Sequence, residues 1–441
     1  MSNWKLHTPN GVNDILPEEC SVKKDIESTI WSVFSSIGYK EVETPSFEYY
    51  DCYAGVGGQI SQEHMFKFFD EQGRILALRP DFTTSIARMA ATKAQNASYP
   101  LRYLYTGSVF RVEQTQGARQ REFTQSGIEL IGSYSPAADA EVISAAMEAV
   151  MAVGIEDFSM EIGQIAFFNG LVAQAGLDAQ STEQLRERID SKDSVGIKTI
   201  TDKLNIDDSI KNLIIDLPYL FGGAEVFEKA YVDGLNETSK LALDNLKRIY
   251  ELLCLYGFEK YVSIDLAMLE SIDYYTGSIF KCYTHGVGFP ICAGGRYDNL
   301  MSEFGAPKGA VGAAIGINRL LSVLSDKETH DVSASLIYAE HNAEGIAYDI
   351  AYNLRVNGCL AEMYIGDGTY KDAEEFSKSR NIGAMLRVFP DGKLQINDFA
   401  KHEIIETTAN EFLGYYDNDL AYDECDCGHE HHHDCDCGCE H

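Results

Sequence analysis

The stretch Ala267–Phe280, AMLESIDYYTGSIF, sets a carboxylate and two phenols, Asp273, Tyr274 and Tyr275, beside a turn glycine, with the acid Glu270 three residues upstream. Ligand pockets are built from a few such polar groups aimed at a small molecule. Groups of the same kind stand elsewhere: Asp81 and Thr83 in LRPDFTTSIAR, Gln125 and Glu129 in REFTQSGIELIG. Acids suit a ligand's ammonium, while an amide and phenols suit a ring that both donates and accepts hydrogen bonds. Arg111 in VFRVE and Arg319 in GINRL offer fixed forks of donors to anionic oxygens such as those of phosphate, or close structural ion pairs. A third chemistry lies in the tail DECDCGHEHHHDCDCGCEH. There Cys425, Cys427, Cys435, Cys437 and Cys439, with His429, His431, His432 and His433, can form thiolate–imidazole sites for zinc or another soft metal. Its CDC and CGC spacings are tighter than those of a zinc finger, so a flexible chelating tail is expected, with an incidental acidic tail as the alternative.

The elements that position these groups belong to a chain of 441 residues, long enough for two or three domains. No run of about 18 apolar residues is present, and MSNWKLHTPN lacks an apolar signal core, which points to the cytoplasm. Against 36 basic residues stand 68 acidic ones, a net charge of −32. Nucleic acid repels such a surface unless the basic residues are segregated. The six cysteines outside the tail are scattered in mostly apolar contexts and are expected as buried, reduced thiols.

Apolar spacing predicts a helix in PEECSVKKDIESTIWSVFSSIGY closed by Gly38, a hairpin in MFKFFDEQGRILALRPD, and a short helix in TSIARMAATKA. YPLRYLYTGSVFRVE and RQREFTQSGIELIG alternate as antiparallel strands, and AADAEVISAAMEAVMAVG reads as a helix. Residues from about 165 to 258 turn helical, as ALDNLKRIYELLCLYG shows; strands resume in VSIDLAML and SIFKCYTHGVGFPICAGG, and VGAAIGINRLLSVLS is expected as a closing helix. Strands around a helical insertion predict an α+β domain over residues 1–326, an antiparallel sheet flanked by helices. Beyond SDKETHDVSA, strands and helices alternate through residues 332–415 as a small α/β domain with parallel pairing, and residues 416–441 are expected as a disordered tail.

Together TPNGVNDILPEE, LRPDFTTSIAR, YTGSVFRVEQTQGARQREFTQSGIELIG, DYYTG, AGGRYDNL and AVGAAIGINRL resemble histidyl-tRNA synthetase, in order, from residue 8 to about 326. The resemblance implies the class II synthetase sheet, followed by a domain similar to the synthetases' anticodon-binding domain. It places Asp81, Thr83, Gln125, Glu129, Tyr274 and Tyr275 at histidine-recognition positions, with Arg111 beside them. Arg111 and Arg319 match the arginines of the second and third class II motifs, the former being the one that contacts the α-phosphate of ATP.

The departures from that pattern are chemical. Where the synthetases read RGLDYY, with an arginine that helps form the adenylate, this chain has ESIDYY and Glu270. Negative charge concentrates where the histidine carboxylate meets the α-phosphate, so an acid there repels both reactants. Gln114 replaces another expected arginine, and Asn318 an expected glutamate. Asp81, where synthetases carry glutamate, and the missing arginine resemble the regulatory subunits of ATP phosphoribosyltransferase. In that family a catalytically inactive synthetase paralogue pairs with a short-form transferase that performs the first step of histidine biosynthesis. The paralogue is required for activity and confers feedback inhibition by L-histidine. The resemblance further implies self-association as a dimer within a hetero-octamer, and no required cofactor. No acidic pair followed by a Gly/Thr-rich loop, of the kind that grips phosphoribosyl pyrophosphate, is present in this chain. Residues 331–415 carry 7 Lys/Arg against 14 Asp/Glu, a poor surface for an anticodon stem, so tRNA is not an expected partner. An active histidine–tRNA ligase and a stand-alone histidine-binding sensor are the alternative readings.

Overall fold

Pro17 fits the first position of the Pro17–Ile37 helix, where its missing N–H is not needed; Glu18 and Glu19 complement the helix dipole. Gly38 ends it in the left-handed region at φ 103°, donating its N–H back to the last turn. The buried stripe of Ile26, Ile30 and Phe34 packs this helix on a sheet. The computed structural model describes residues 4–54, 62–112, 120–269, 275–324, 334–399 and 401–419. It divides into two compact units, Met1–Lys327 and Glu328–His441.

The first unit is built on a nine-stranded sheet. Its order is Lys40–Glu41, Leu101–Phe110, Glu122–Ile131, Ala310–Gly316, Cys292–Arg296, Ser278–Thr284, Phe158–Gln164, Val262–Asp265 and Phe221–Gly222. Pairing is antiparallel except where Lys40–Glu41 meets Leu101–Phe110 and Phe158–Gln164 meets Val262–Asp265. Successive side chains point to opposite faces. Leu104, Ile128 and Leu130 accordingly join the large core under the Pro17–Ile37 and Pro136–Ala152 helices. Tyr105, Val109 and Ile131 join a second core with Phe82 and with Ile86 of the Thr83–Lys93 helix that follows it. Glu129 alternates onto that second face, and this places a carboxylate in the interior.

The expected helical stretch holds six α-helices between Ile165 and Leu255, and their apolar residues merge with the main core. One expectation is corrected. VGAAIGINRLLSVLS is a helix only from Ile317 to Leu324; Ala310–Gly316 is a central strand. Alanine's helix preference, a few tenths of a kcal/mol per residue, yields to the two ladders this strand completes with Glu122–Ile131 and Cys292–Arg296. Of the thiols expected to be buried, Cys282 and Cys292 are; Cys20, Cys52 and Cys254 are half-buried, and Cys359 is exposed.

In the second unit Ala361–Met363, Ser335–Ala339 and Ala384–Val388 pair in parallel, as expected. Lys393–Asp398 and Glu403–Thr408 then add antiparallel strands, and a last helix runs from Ala409 to Asp419, past the expected limit of 415. No helix among the described residues is long and apolar enough to cross a membrane.

Candidate functional site

The second face of the large sheet holds a cavity of about 280 Å³. Asp81, Thr83, Arg111, Gln125, Glu129, Tyr275 and Arg319 all line it, joined by Tyr105, Phe123, Lys281 and Tyr297. Residues from four distant stretches are thus brought together. Tyr274, Glu270, Gln114 and the tail residues from Cys425 to Cys439 lie outside the described residues.

The LRPDF segment is clamped before it reaches the cavity. Arg79 donates from Nε to the Ser108 carbonyl at 2.7 Å and from its terminal nitrogen to the Thr44 carbonyl at 2.8 Å. Its guanidinium lies 4.0 Å from the Phe82 ring centroid, and Phe82 stacks on Tyr105 at 4.3 Å. This stack fixes Asp81 and Thr83 on either side of Phe82. Asp81 accepts from the Thr84 backbone N–H at 3.1 Å.

Glu129 is 1 % exposed, and each of its oxygens holds a hydroxyl. Oε1 accepts from Thr83 at 2.7 Å, and Oε2 accepts from Tyr297. Burial pushes the carboxyl up to about 8 against these two bonds, and the neighbouring Asp81 adds to the rise. Burial also raises Asp81, against the Thr84 N–H and the Arg111 guanidinium. Desolvation disfavours the charged form of both acids. A ligand ammonium would restore the partner that water supplied.

Gln125 completes the recognition set. Among the described residues its buried Oε1 has no hydrogen-bond partner, an open acceptor in the wall of the cavity. An unmet buried acceptor costs about 1–3 kcal/mol until a donor arrives, which favours a ligand bearing an N–H. Arg111 is anchored by Nε to the Pro80 carbonyl at 2.9 Å, its guanidinium 5.4 Å from the Phe123 ring. Arg319 donates to the Pro290 carbonyl and lies 5.2 Å from the Phe289 ring. The lining therefore offers carboxyls for an ammonium and guanidiniums for a carboxylate or phosphate. A zwitterion meets both demands at once. The volume lies near the lower limit of ligand pockets, roughly 300–1,000 Å³, and suits a small metabolite.

Backbone forms part of the floor. A Cβ on Gly312 would overlap the Glu129 carboxylate, one on Gly294 the Phe280 ring, and one on Gly295 would come within 2.7 Å of the Tyr275 ring.

Sequence reasoning passed over the groups that hold this machinery. In AGGRYDNL, Tyr297 buttresses Glu129, and the adjacent Arg296 is the centre of a buried network. Arg296 grips Asp139 through Nε at 3.1 Å and a terminal nitrogen at 2.6 Å, and it also reaches Asp298 at 3.1 Å and the Ser133 carbonyl at 2.8 Å. Ser278 donates to the same Asp139 oxygen, and Asp298 accepts from Ala310 N–H at 2.9 Å. The consecutive Arg–Tyr–Asp after two glycines is the local signal. The partner Asp139, distant in sequence, is invisible without the fold. Asn318 does not line the cavity, since its Oδ1 accepts from Thr124 N–H at 2.7 Å.

A family model described as histidyl-tRNA synthetase matches residues 11–320. The chain is 44% identical over 417 residues to an ATP phosphoribosyltransferase regulatory subunit of Acetivibrio thermocellus, covering 94% of this chain and 100% of that one. It is 39% identical to the equivalent protein of Ruminiclostridium cellulolyticum, covering 94% and 99%. Among solved structures, an ATP phosphoribosyltransferase regulatory subunit/histidyl-tRNA synthetase from Bacillus halodurans superposes with a TM-score of 0.78 at 32% identity, over 88% of this chain and 99% of that one. A histidyl-tRNA synthetase from Nostoc gives 0.76 over 94% and 99%; at 23% identity it speaks to fold alone. With its sheet, its pocket and its whole-length relatives in agreement, the chain belongs to the ATP phosphoribosyltransferase regulatory subunit family, on the class II fold of histidyl-tRNA synthetase.

Proposed function

We propose that this protein is a non-catalytic regulatory subunit that senses L-histidine and transmits its level to a short-form ATP phosphoribosyltransferase. The observation that carries the histidine assignment is the cavity: buried carboxyls, guanidiniums and the open Gln125 acceptor face one small volume. Histidine's ammonium would meet Asp81 and Glu129, its carboxylate Arg111, and an imidazole N–H the Gln125 oxygen. Transfer chemistry resides on the partner, because this chain offers no phosphoribosyl pyrophosphate loop. Binding that favours an inactive arrangement of the assembly must, by reciprocity, be weakened by transferase substrates that favour the active one. A coupling of roughly 1–3 kcal/mol corresponds to a five- to 150-fold change in affinity.

Calorimetry of histidine binding tests the site. Gln125→Ala is expected to weaken affinity about 10-fold or more, since one hydrogen bond to a charged or buried partner is worth about 1.5–3 kcal/mol. Unchanged affinity places the effector elsewhere.

Self-association is supported by a separate surface. The three-stranded sheet of Phe47–Tyr49, Ile75–Leu78 and Lys67–Phe69 turns Glu48, Lys67 and Ala77 to one side, and Glu48 binds Arg88 at 2.7 Å. Its other side presents Phe47, Tyr49, Phe68, Leu76 and Leu78. Phe47 and Tyr49 are half exposed, an arrangement that monomers avoid and partners cover. A second copy of this chain fits, because an antiparallel apolar face is self-complementary about a twofold axis. Phe47→Glu is expected to convert the dimer to monomer in light scattering at micromolar concentration; an unchanged mass would exclude this face.

The second unit gives no support to the ligase alternative. Arg387, a cation on its sheet, is engaged by Glu340 at 2.7 Å and lies 4.3 Å from the Tyr370 ring centroid.

A further inference from the structure

The cavity encloses two acids whose charges are not balanced in the same way. Among the described residues, Glu129 is hydrogen-bonded by the hydroxyls of Thr83 and Tyr297 and by no cation. The titratable groups that face it are Asp81 from the LRPDF segment, Tyr105 from the Leu101–Phe110 strand, Tyr297 after the Cys292–Arg296 strand, and Tyr275 beside Tyr297 and Tyr105. Tyr105 and Tyr297 stay protonated across neutrality, because burial raises them far above their ordinary range. Arg111 acts on Asp81 and so leaves Glu129 as the acid with the weaker claim to its charge. A Cβ on Gly312 would overlap its carboxylate, so this side chain is pressed against backbone with no room for water on that side.

Two buried carboxyls sharing one site cannot both ionise without a cation between them. We infer that a ligand ammonium entering this cavity drives one proton off the Glu129–Asp81 pair into solvent, so that effector affinity rises with pH across neutrality. The inference rests on the histidine reading above and adds a regulatory property to it: the sensor responds to pH as well as to its effector. The one step is a proton transfer. The O–H bond of Glu129 breaks, buffer takes the proton, and the carboxylate pairs with the incoming ammonium.

The sign follows from linkage. The free protein carries Glu129 protonated below about 8, and the complex carries it ionised. Binding therefore releases a proton below that pH and none above it. Affinity should rise about fivefold from pH 7 to pH 8 through Glu129, a window in which histidine's own imidazole, titrating at about 6.5, is mostly neutral.

Isothermal titration of L-histidine into the full chain, in buffers of different ionisation enthalpy at pH 7, measures the proton directly. The expected result is release of nearly one proton per histidine, together with the fivefold gain by pH 8. Glu129→Gln keeps the shape and one accepted hydroxyl, the other hydroxyl having to turn and accept from the amide; its binding, though weaker, should lose both the proton release and the pH slope of the carboxyl. Should that variant fail to fold, the wild-type buffer series decides alone. Histidine binding that is sensitive to Gln125→Ala yet shows no buffer dependence overturns the proton coupling and leaves the pocket reading intact. Binding that is indifferent to Gln125→Ala, or no binding at all, overturns both.

Discussion

Asp139→Ala is expected to destabilise the first unit by about 3–5 kcal/mol, because it removes the carboxylate that makes two of the three ion-pair bonds of the buried Arg296 guanidinium and leaves Asp298 alone to balance its charge. Asp139 is fully buried, and Arg296 is 5 % exposed. Its other contacts do not replace the two charge-assisted bonds to Asp139: Asp298 and the Ser133 carbonyl share one terminal nitrogen, and the Ser135 carbonyl lies 3.5 Å from the other. The midpoint of thermal unfolding should fall by on the order of 10 °C, read by calorimetry. The double variant Asp139→Ala with Arg296→Met should recover part of the loss, since it removes the uncompensated charge as well as the pair. Equal stability of wild type and Asp139→Ala would show that the network is incidental. The same lesion should reach the pocket. Arg296 adjoins Tyr297, which donates to Glu129, so histidine affinity should fall in Asp139→Ala even at temperatures where the protein remains folded.

Histidine-dependent exchange of pyrophosphate into ATP is expected to be at least a hundredfold to a thousandfold slower than with an active synthetase, and to vanish into background. Loss of one transition-state donor costs that much, and reversing its charge costs more. By the resemblance, Glu270 stands where the synthetases carry an arginine before DYY, and Gln114 where they carry another. Asn318 is a third departure, and its side chain turns to a backbone N–H and is absent from the cavity wall. On the proposed reading binding and activation are separable: the groups suited to a zwitterion line the cavity together with Arg111 and Arg319, while the arginine that the resemblance expects at position 270 is an acid. Exchange at ordinary synthetase rate would sink the regulatory reading. Glu270→Arg alone is expected to leave exchange undetectable, because the Gln114 and Asn318 changes persist.

Much of this was legible in the sequence where local chemistry and periodicity agree. Pro17, the Ile26–Ile30–Phe34 stripe and Gly38 specify a helix and both its ends without tertiary help. The hairpin around DEQGR is equally local, with Gly73 at φ 80° in the turn. Asp81, Thr83, Gln125 and Glu129 could be named because motif order, rather than any single acid, carried the information. What stayed hidden depended on contacts between distant residues. Ala310–Gly316 reads as a helix because small residues carry no strand signature, and only its two neighbours make it a strand. Asp139 looks like an ordinary first-turn acid of its helix, complementing the dipole, until the fold delivers Arg296 to it. The exposed aromatic side of the Phe47–Tyr49 sheet was hidden for a different reason. Alternation in a three-residue strand is too short to distinguish a face that meets the core from one that meets a partner.

The glycines in the floor of the cavity set a limit on how its specificity can change. Where Gly312 and Gly294 line the cavity, there is no side chain left to shorten. Substitution at those positions can only make the chamber smaller, so a larger effector cannot be accommodated there by trimming. New specificity would have to come from the walls, where Gln125 and Tyr275 stand, or from a shift of the strands themselves. The choice of guest is in this sense held by atoms that were never added.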